Sequence, residues 1–324
     1  MLSRRTFASA AILAATASHR AVGQDAFPTS PIRLIVPFAA GGSGDIVGRV
    51  IGDRVAAELG QPVIIENRSG GNGIIGSQVA ARARPDGYTL LQLTAAALII
   101  TTMQENVPYS LERDFVPIIG VGSFPTALTA SGRSNIRSLE ELVAYARRTP
   151  GGITYASGGV GSLGHLAAAR LVNELGIPAT HIPYRGSHYA MQALLANEVQ
   201  FFFGATADVV ALHGTDRIRV LGVTSDRRLP SLADVPTMTE LGFADFVASI
   251  WFGYLAPAGT PPHVLERLRT AFAAAVGNPG VQERFAPYGF ATAVQPPAEF
   301  TRFMQAQAAR WGRVIRDNNI TVGN

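Results

Sequence analysis

Between Pro31 and Val50 the chain reads PIRLIVPFAAGGSGDIVGRV, an apolar strand that passes through a glycine turn and opens directly onto a helix. That joint constrains the fold more than any other feature, because strands alternating with helices argue for α/β architecture with largely parallel sheets. It also leaves the first N–H groups of the helix without intrahelical partners, which makes the turn a ready anion site.

The alternation continues along the chain. Ile32 to Val36, Val63 to Glu66 and Thr89 to Leu93 read as strands, with helices Asp45 to Leu59 and Ile74 to Ala83 between them. A second series follows: helix Leu139 to Arg148, strand Ile153 to Ser157, helix Leu163 to Leu175, strand Ala179 to Tyr184, helix Tyr189 to Ala196, then strands Val199 to Phe203 and Arg219 to Thr224. The tail shows helical spacing over Pro262 to Val276 and Ala298 to Arg316, with Pro261 and Pro297 at the starts and Gly277-Asn278-Pro279 as a stop. Two extended stretches, Val116 to Thr129 and Ser249 to Ala256, cross between the series. The expectation is a two-lobed protein with a βα sheet in each lobe and a ligand cleft between them. Lobe 1 is expected at 24–126 plus 247–324, and lobe 2 at 127–246.

Residues 1–23 read as an export signal. Arg4 and Arg5 precede an Ala-rich apolar run from Ala8 to Ala17, and Ala21-Val22-Gly23 gives a small-residue exit. Ser3-Arg4-Arg5-Thr6-Phe7 resembles the twin-arginine motif. The apolar run is far shorter than the roughly 20 residues a bilayer span needs. The expected location is therefore the periplasm, where a phosphate-binding loop would find little nucleotide.

Composition then excludes whole classes of chemistry. The formal charge of +4 includes Arg4, Arg5 and Arg20 of the leader, so the remainder is nearly neutral and gives no argument for nucleic acid. All 27 basic residues are arginine. Without lysine there is no Walker lysine, Schiff-base lysine or kinase-type lysine. Zero cysteines exclude thiolate catalysis, iron–sulfur clusters and disulfides.

Two matches to G-x-G-x-x-G, Gly71 to Gly76 and Gly159 to Gly164, suggest a dinucleotide enzyme. The loop after Glu66 is too long for the tight first turn, however, and THIPY stands at Thr180 to Tyr184 where a ribose-binding acid belongs. No nucleophile elbow surrounds Ser43, Ser69, Ser157 or Ser162, and the histidines show no close helical ligand pairing, so no metal is expected. A two-carboxylate site assembled in space stays open at this level. If Phe38 to Asp45 and Ser157 to His165 face each other, two helix N-termini converge on one point and favour an anion; a carboxylate fits without needing lysine.

VPFAAGGSGD, GQPVIIENRSGGNGIIGSQVAARARPDGYTLL, ASGGVGSLGHL, IPYRG, RVLGVTSDRR with DVPTMTELG, and APAGTPP resemble, in order and over nearly the whole chain after the leader, the tripartite tricarboxylate transporter substrate-binding family, the Bug-type extracytoplasmic solute receptors. The resemblance implies a periplasmic "Venus flytrap" of the type II-like kind that binds a small organic carboxylate and delivers it to membrane permease subunits. It implies neither catalysis nor a cofactor. A monomer is the default. A sensory receptor that presents its ligand to a membrane sensor, and a periplasmic enzyme acting on a small acid, are the alternatives.

From the first lobe the resemblance implies Phe38, Ala39, Gly42, Ser43 and Asp45: Phe38 over the apolar body of the ligand, Ser43 and nearby N–H groups on a carboxylate, and Asp45 as a helix cap. From the second lobe it implies Ser157, Gly158, Gly161, Ser162 and His165, then Tyr184, Arg185 and Gly186, and Asp208 after Phe203. Ser157 and Ser162 are the expected hydroxyl donors. Arg185 is either the partner of a second carboxylate or a solvated charge. His165 either faces the ligand or packs in its helix, and Asp208 either reads a polar ligand group or caps. Gly44, Ser69-Gly70-Gly71-Asn72, Ala169 and His188-Tyr189 depart from the family pattern, and the two rings of the last pair are expected to narrow the pocket or stack on an aromatic acid.

Overall fold

The computed structural model describes residues 27–104 and 106–321, so the leader, 1–23, lies outside the described residues. The first series comprises β1 (Ile32–Val36), α1 (Ser43–Leu59), β2 (Val63–Asn67), α2 (Ile74–Ala81), β3 (Thr89–Thr94) and α3 (Ala95–Met103). A long strand, β4 (Phe115–Ser131), leads to the second series: α4 (Leu139–Arg148), β5 (Ile153–Ser157), α5 (Leu163–Leu175), β6 (Ala179–Pro183), α6 (Ser187–Ala196), β7 (Phe201–Ala205), α7 (Thr206–Val209) and β8 (Ile218–Val223). The chain returns through β9 (Ser249–Pro257) to α8 (Pro262–Gly277), α9 (Pro279–Phe285), β10 (Ala291–Gln295) and α10 (Pro297–Asp317).

The strands follow the order β2-β1-β3-β9-β4-β7-β5-β6, with β8 and β10 also on β4. The outer pairs of each lobe are parallel, as βα units require: β1 with β2 and β3, and β5 with β6 and β7. The expectation of largely parallel sheets fails in the centre. β4 pairs antiparallel with β9, β7, β8 and β10, and β3 pairs antiparallel with β9. The reason is topological: β4 carries the chain out of the first lobe and β9 carries it back.

β4 changes partners part-way along its length. Phe115 to Pro125 face Pro257 to Ser249 of β9, and from Thr126 onward the strand joins β7 and β8. A buried node marks the changeover. The Thr126 N–H donates to Thr224 Oγ1 at 2.9 Å, and the Thr224 hydroxyl lies 2.7 Å from the Ala248 carbonyl oxygen that it can donate to. The Thr126 N–H also donates to the Ala248 carbonyl oxygen at 3.0 Å, so the Thr224 hydroxyl adds a further partner to a backbone pair already made where the ladder divides.

Three apolar clusters cover the sheet. One belongs to the first lobe, with Val47, Val50 and Ile51 of α1 and Leu268 and Phe272 of α8. A second belongs to the second lobe, with Ala190, Met191 and Leu194 of α6. The third is shared by both lobes: Leu98 of α3, Leu166 of α5 and Phe300 and Trp311 of α10 all enter it. Trp251 meets Phe300 and Phe303 edge to face, so α10 is keyed to β9.

Four elements are absent from the sequence reading, the single-turn α7 among them. α3 has Ala95, Ala97, Leu98, Ile99 and Ile100 all buried, so it has no polar face to give a helical period. The stop at Gly277-Asn278-Pro279 is real, but Asn278 also accepts the N–H groups of Gly280 and Val281 and starts α9. β10 is a short edge strand. β7 begins at Phe201 instead of Val199, because Asn197 ends α6 in a left-handed conformation and the Glu198 N–H still bonds back to Ala193.

Candidate functional site

A cleft of about 720 Å³ separates the lobes. It lies where β1, β3, β5 and β6 end and hand over to helices, the usual place for a ligand in an open α/β sheet. Four helices therefore bring their first residues to its wall, α1 and α3 from one lobe and α5 and α6 from the other, and Gly73, which precedes α2, lines it as well.

The four are finished differently. Thr94 caps α3 by accepting the Ala97 N–H at 3.4 Å, and Ser162 caps α5 by accepting the His165 N–H at 3.3 Å. Gly42 before α1 and Gly186 before α6 supply no side-chain cap. The first N–H groups of α1 and α6 thus lack a side-chain acceptor, each at the positive end of a helix dipole. Arg185, the only arginine among the described lining residues, stands beside the α6 terminus.

Behind the first-lobe turn sits a charged brace. Asp45 is 5% exposed, and its carboxylate accepts the Gly41 N–H at 3.0 Å, Arg49 Nε at 3.0 Å and Asn67 Nδ2 at 3.1 Å. Asn67 also donates to the Phe38 carbonyl oxygen at 3.0 Å. Burial works to raise the Asp45 carboxyl, but hydrogen bonds from Arg49, Gly41 and Asn67 outweigh it and hold it below the usual carboxylate range.

The second-lobe turn has a neutral brace. Ser157 Oγ lies 2.6 Å from His181 Nε2 and accepts the Gly159 N–H at 3.1 Å. The Gly161 N–H donates to His165 Nδ1 at 3.1 Å, which assigns a neutral ring with its proton on Nε2. His165 and His181 stack with ring centres 3.8 Å apart, and Tyr155 lies on His181 at 5.0 Å. Burial pushes His165 down to about 4; burial, with the neighbouring His165, pushes His181 down to about 3.

Of the residues expected from sequence, Phe38, Ala39, Gly42 and Ser43 line the cleft from the first lobe, and Gly158, Ser162, Tyr184, Arg185 and Gly186 from the second. Asp45, Ser157, Gly161, His165 and Asp208 are not among the lining residues. Asp45 is not the helix cap either: α1 starts two residues earlier, and Asp45 reaches back from its first turn. Ser157 is fully buried and its hydroxyl is engaged by His181 and Gly159. Asp208 lies in α7 with one carboxylate oxygen out of solvent and unpartnered, and burial pushes it up to about 6.

The two G-x-G-x-x-G matches have a packing explanation. A Cβ on Gly76 would lie 2.8 Å from Pro37 Cα, and one on Gly164 would lie 2.4 Å from the Phe203 carbonyl oxygen. Each final glycine lets a helix approach backbone closely.

Other lining residues escaped the sequence reading: Thr94, Ala95 and Ala96 at the start of α3, and Phe252 on β9. A threonine after a strand and before an Ala-rich run was the available signal for α3. Asn72 also bridges the lobes, its side-chain amide donating to the Val160 carbonyl oxygen.

The pattern of the tripartite tricarboxylate transporter family receptor matches residues 47–320. The chain belongs to this family. It is 36% identical over 313 residues to the UPF0065 protein in the tcbD-tcbE intergenic region of Pseudomonas sp. (strain P51), covering 96% of this chain and 93% of that one. It is 34% identical over 316 residues to protein BugT of Bordetella pertussis, covering 97% of each. Among solved structures it resembles periplasmic binding protein BugD, with a TM-score of 0.86, 32% identity, and 91% of this chain and 99% of that one covered. An R. palustris protein with adipate gives 0.87, 30%, and 91% and 99%. MatC from Rhodopseudomonas palustris with bound malate gives 0.82, 28%, and 89% and 100%. The two-lobed fold is that of a periplasmic binding protein, and the family is one of receptors.

Proposed function

We propose that this family member is a periplasmic receptor that captures a small organic carboxylate in the cleft and hands it to the permease subunits of a tripartite tricarboxylate-type transporter. The observation that carries this reading is the convergence of two helix N-termini without side-chain caps, α1 and α6, with Arg185 on one cleft. Ser43 and the first amides of α1 hold one carboxylate; Arg185 and the α6 amides hold the other end of a diacid or steer a monoacid. Adipate and malate in related structures are ligands of this chemistry. The protein binds without turnover. Residues 1–23 direct export, by the twin-arginine route, and the receptor works as a monomer with lobe boundaries at 126/127 and 246/247.

Titration calorimetry with a panel of mono- and dicarboxylates tests the reading. Binding is expected, and Arg185→Gln is expected to weaken dicarboxylates by about 1.5–3 kcal/mol, the worth of a hydrogen bond to a charged group. Absence of heat with every acid in the panel counts against it.

A further inference from the structure

The start of α6 gathers hydrogen-bond donors on the second-lobe wall of the cleft. Gly186, with a φ of 122°, turns the chain into the helix, and the Ala190 N–H makes the first helical bond, to the Gly186 carbonyl oxygen at 3.3 Å. The amides of Ser187, His188 and Tyr189 are left without helical partners. The terminus sits close against the second-lobe turn, since a Cβ on Gly158 would lie 3.1 Å from Ser187 N. Arg185 precedes it, and no Asp or Glu is among the described lining residues, so no carboxylate of the wall competes for these donors.

His188 adds a donor that is held in place. Gln192, one turn further on, shares its face of α6, and side chains on a helix lean back toward the N-terminus, which brings the two together. Gln192 Nε2 lies 3.0 Å from His188 Nε2. An amide nitrogen only donates, so the ring nitrogen that faces it is the acceptor, which assigns a neutral imidazole with its proton on Nδ1. Tyr189 meets the same ring edge to face at 5.7 Å. The ring lines the cleft with its Nδ1–H free of any partner among the described residues.

We infer that His188 sets the charge class of the ligand: its Nδ1–H, together with Arg185 and the open amides of α6, receives a second carboxylate, so the receptor selects dicarboxylates over monocarboxylates. This rests on the carboxylate-receptor reading above and narrows it, because that reading lets Arg185 either hold a diacid or steer a monoacid. A carboxylate has two oxygens with several acceptor positions, enough for a guanidinium, an imidazole N–H and backbone amides at once. A monoacid seated on α1 would instead lay an alkyl end against these donors and displace their water without replacing it, which costs affinity. His188 and Tyr189 depart from the family pattern, so the selection belongs to this chain.

The test is titration calorimetry on the chain without its leader, with succinate, glutarate and adipate and the monoacids of the same carbon count, butyrate, pentanoate and hexanoate. At least one diacid is expected to bind wild type about tenfold or more tightly than its monoacid, the scale of a hydrogen bond to a charged group. His188→Ala is expected to weaken that diacid by about tenfold and its monoacid by less than about twofold. His188→Asn places an amide N–H where Nδ1 stood and is expected to hold the diacid within about threefold of wild type, which a ring that only packs on Tyr189 would not allow. Both variants change an exposed side chain, so their thermal melts should match wild type, and this separates lost affinity from lost fold. Nitrogen-15 NMR of the wild-type imidazole should show the proton on Nδ1. Monoacids that bind as tightly as their diacids, equal weakening of both by His188→Ala, or no recovery in His188→Asn overturns the His188 inference alone. No heat with any of the acids overturns the carboxylate reading as well.

Discussion

Two turns of one plan face the cleft from opposite lobes, Phe38 to Asp45 and Ser157 to His165, each a strand end, a run of small residues and a helix start. The first is braced by a buried carboxylate shared among an arginine, an amide side chain and a backbone N–H, and its helix has no side-chain cap. The second is braced by two stacked neutral histidines and a serine, and its helix is capped by Ser162. The difference teaches that local backbone plan and bracing chemistry are separable. A turn whose helix terminus is left open can take a ligand anion, whereas a turn that caps itself supplies shape. It also means that the two lobes should fail under different conditions.

Acid should separate them most strongly. The histidines have folded pKa values of about 4 and 3, below the ordinary value of 6.5. The unfolded chain therefore binds protons first as pH falls. Their contribution is complete above pH 6.5 and is lost progressively as pH drops toward the folded values, at up to about 1.4 kcal/mol per pH unit for each histidine. Asp45 acts in the same sense but at lower pH: its lowered pKa contributes stability that is present above the ordinary carboxylate value and is lost as pH falls through the folded one. Urea midpoints measured from pH 7 to 4.5 in an Asp208→Asn background, which removes the carboxyl raised to about 6 that gains stability over the same range, should thus track the histidines, and His181→Gln should reduce the slope. Midpoints indifferent to pH over that range would contradict the neutral brace.

The next effect is expected from Asp45→Ala. It leaves the Gly41 N–H and the Asn67 amide without their acceptor, at a cost of about 1–3 kcal/mol in denaturant unfolding at pH 7. Ligand affinity should fall with it, because the amides of the α1 terminus are carried on that brace. A variant with wild-type stability and affinity would show that Asn67 alone holds the turn.

The smallest effect should come from the contact between the lobes. Asn72 has a φ of 51°, so Asn72→Gly removes the amide without introducing strain. Loss of one hydrogen bond across the cleft is expected to weaken ligand binding by about 0.5–1.5 kcal/mol, chiefly through faster release measured by stopped flow. The melting temperature of the unliganded protein should barely move.

How much of this was readable from sequence follows from the range of each interaction. β1, β5 and α5 were legible to the residue, because an apolar strand, a glycine turn and a serine cap are all local signals. The charged brace was not. Asn67 reaches Asp45 only because β1 and β2 pair in parallel with Val36 opposite Asn67, a register that no short motif encodes. His165 and His181 likewise meet only once α5 has packed on β5 and β7 beside the β6 strand that carries His181. The site reading carried by resemblance brought together the backbone of both turns and Arg185, while Ser157, His165 and Asp45 turned out to be supports behind the wall. α3 stayed hidden because its first six residues are all apolar and give no polar face to set a period.

The passage of β4 and β9 between the lobes has a consequence for the order of assembly. β3 must pair with β9, Leu91 opposite Leu255, although the whole second lobe lies between them in the chain. The second lobe can therefore form from contacts among near neighbours, while the first must close a very long loop before its sheet is complete, which is entropically the slower event. Pulse-labelling hydrogen exchange during refolding is expected to protect amides of β5, β6 and β7 before those of β3 and β9. On that timetable the binding cleft is the last thing the chain makes, since one of its walls waits for the C-terminal strands and helices to arrive.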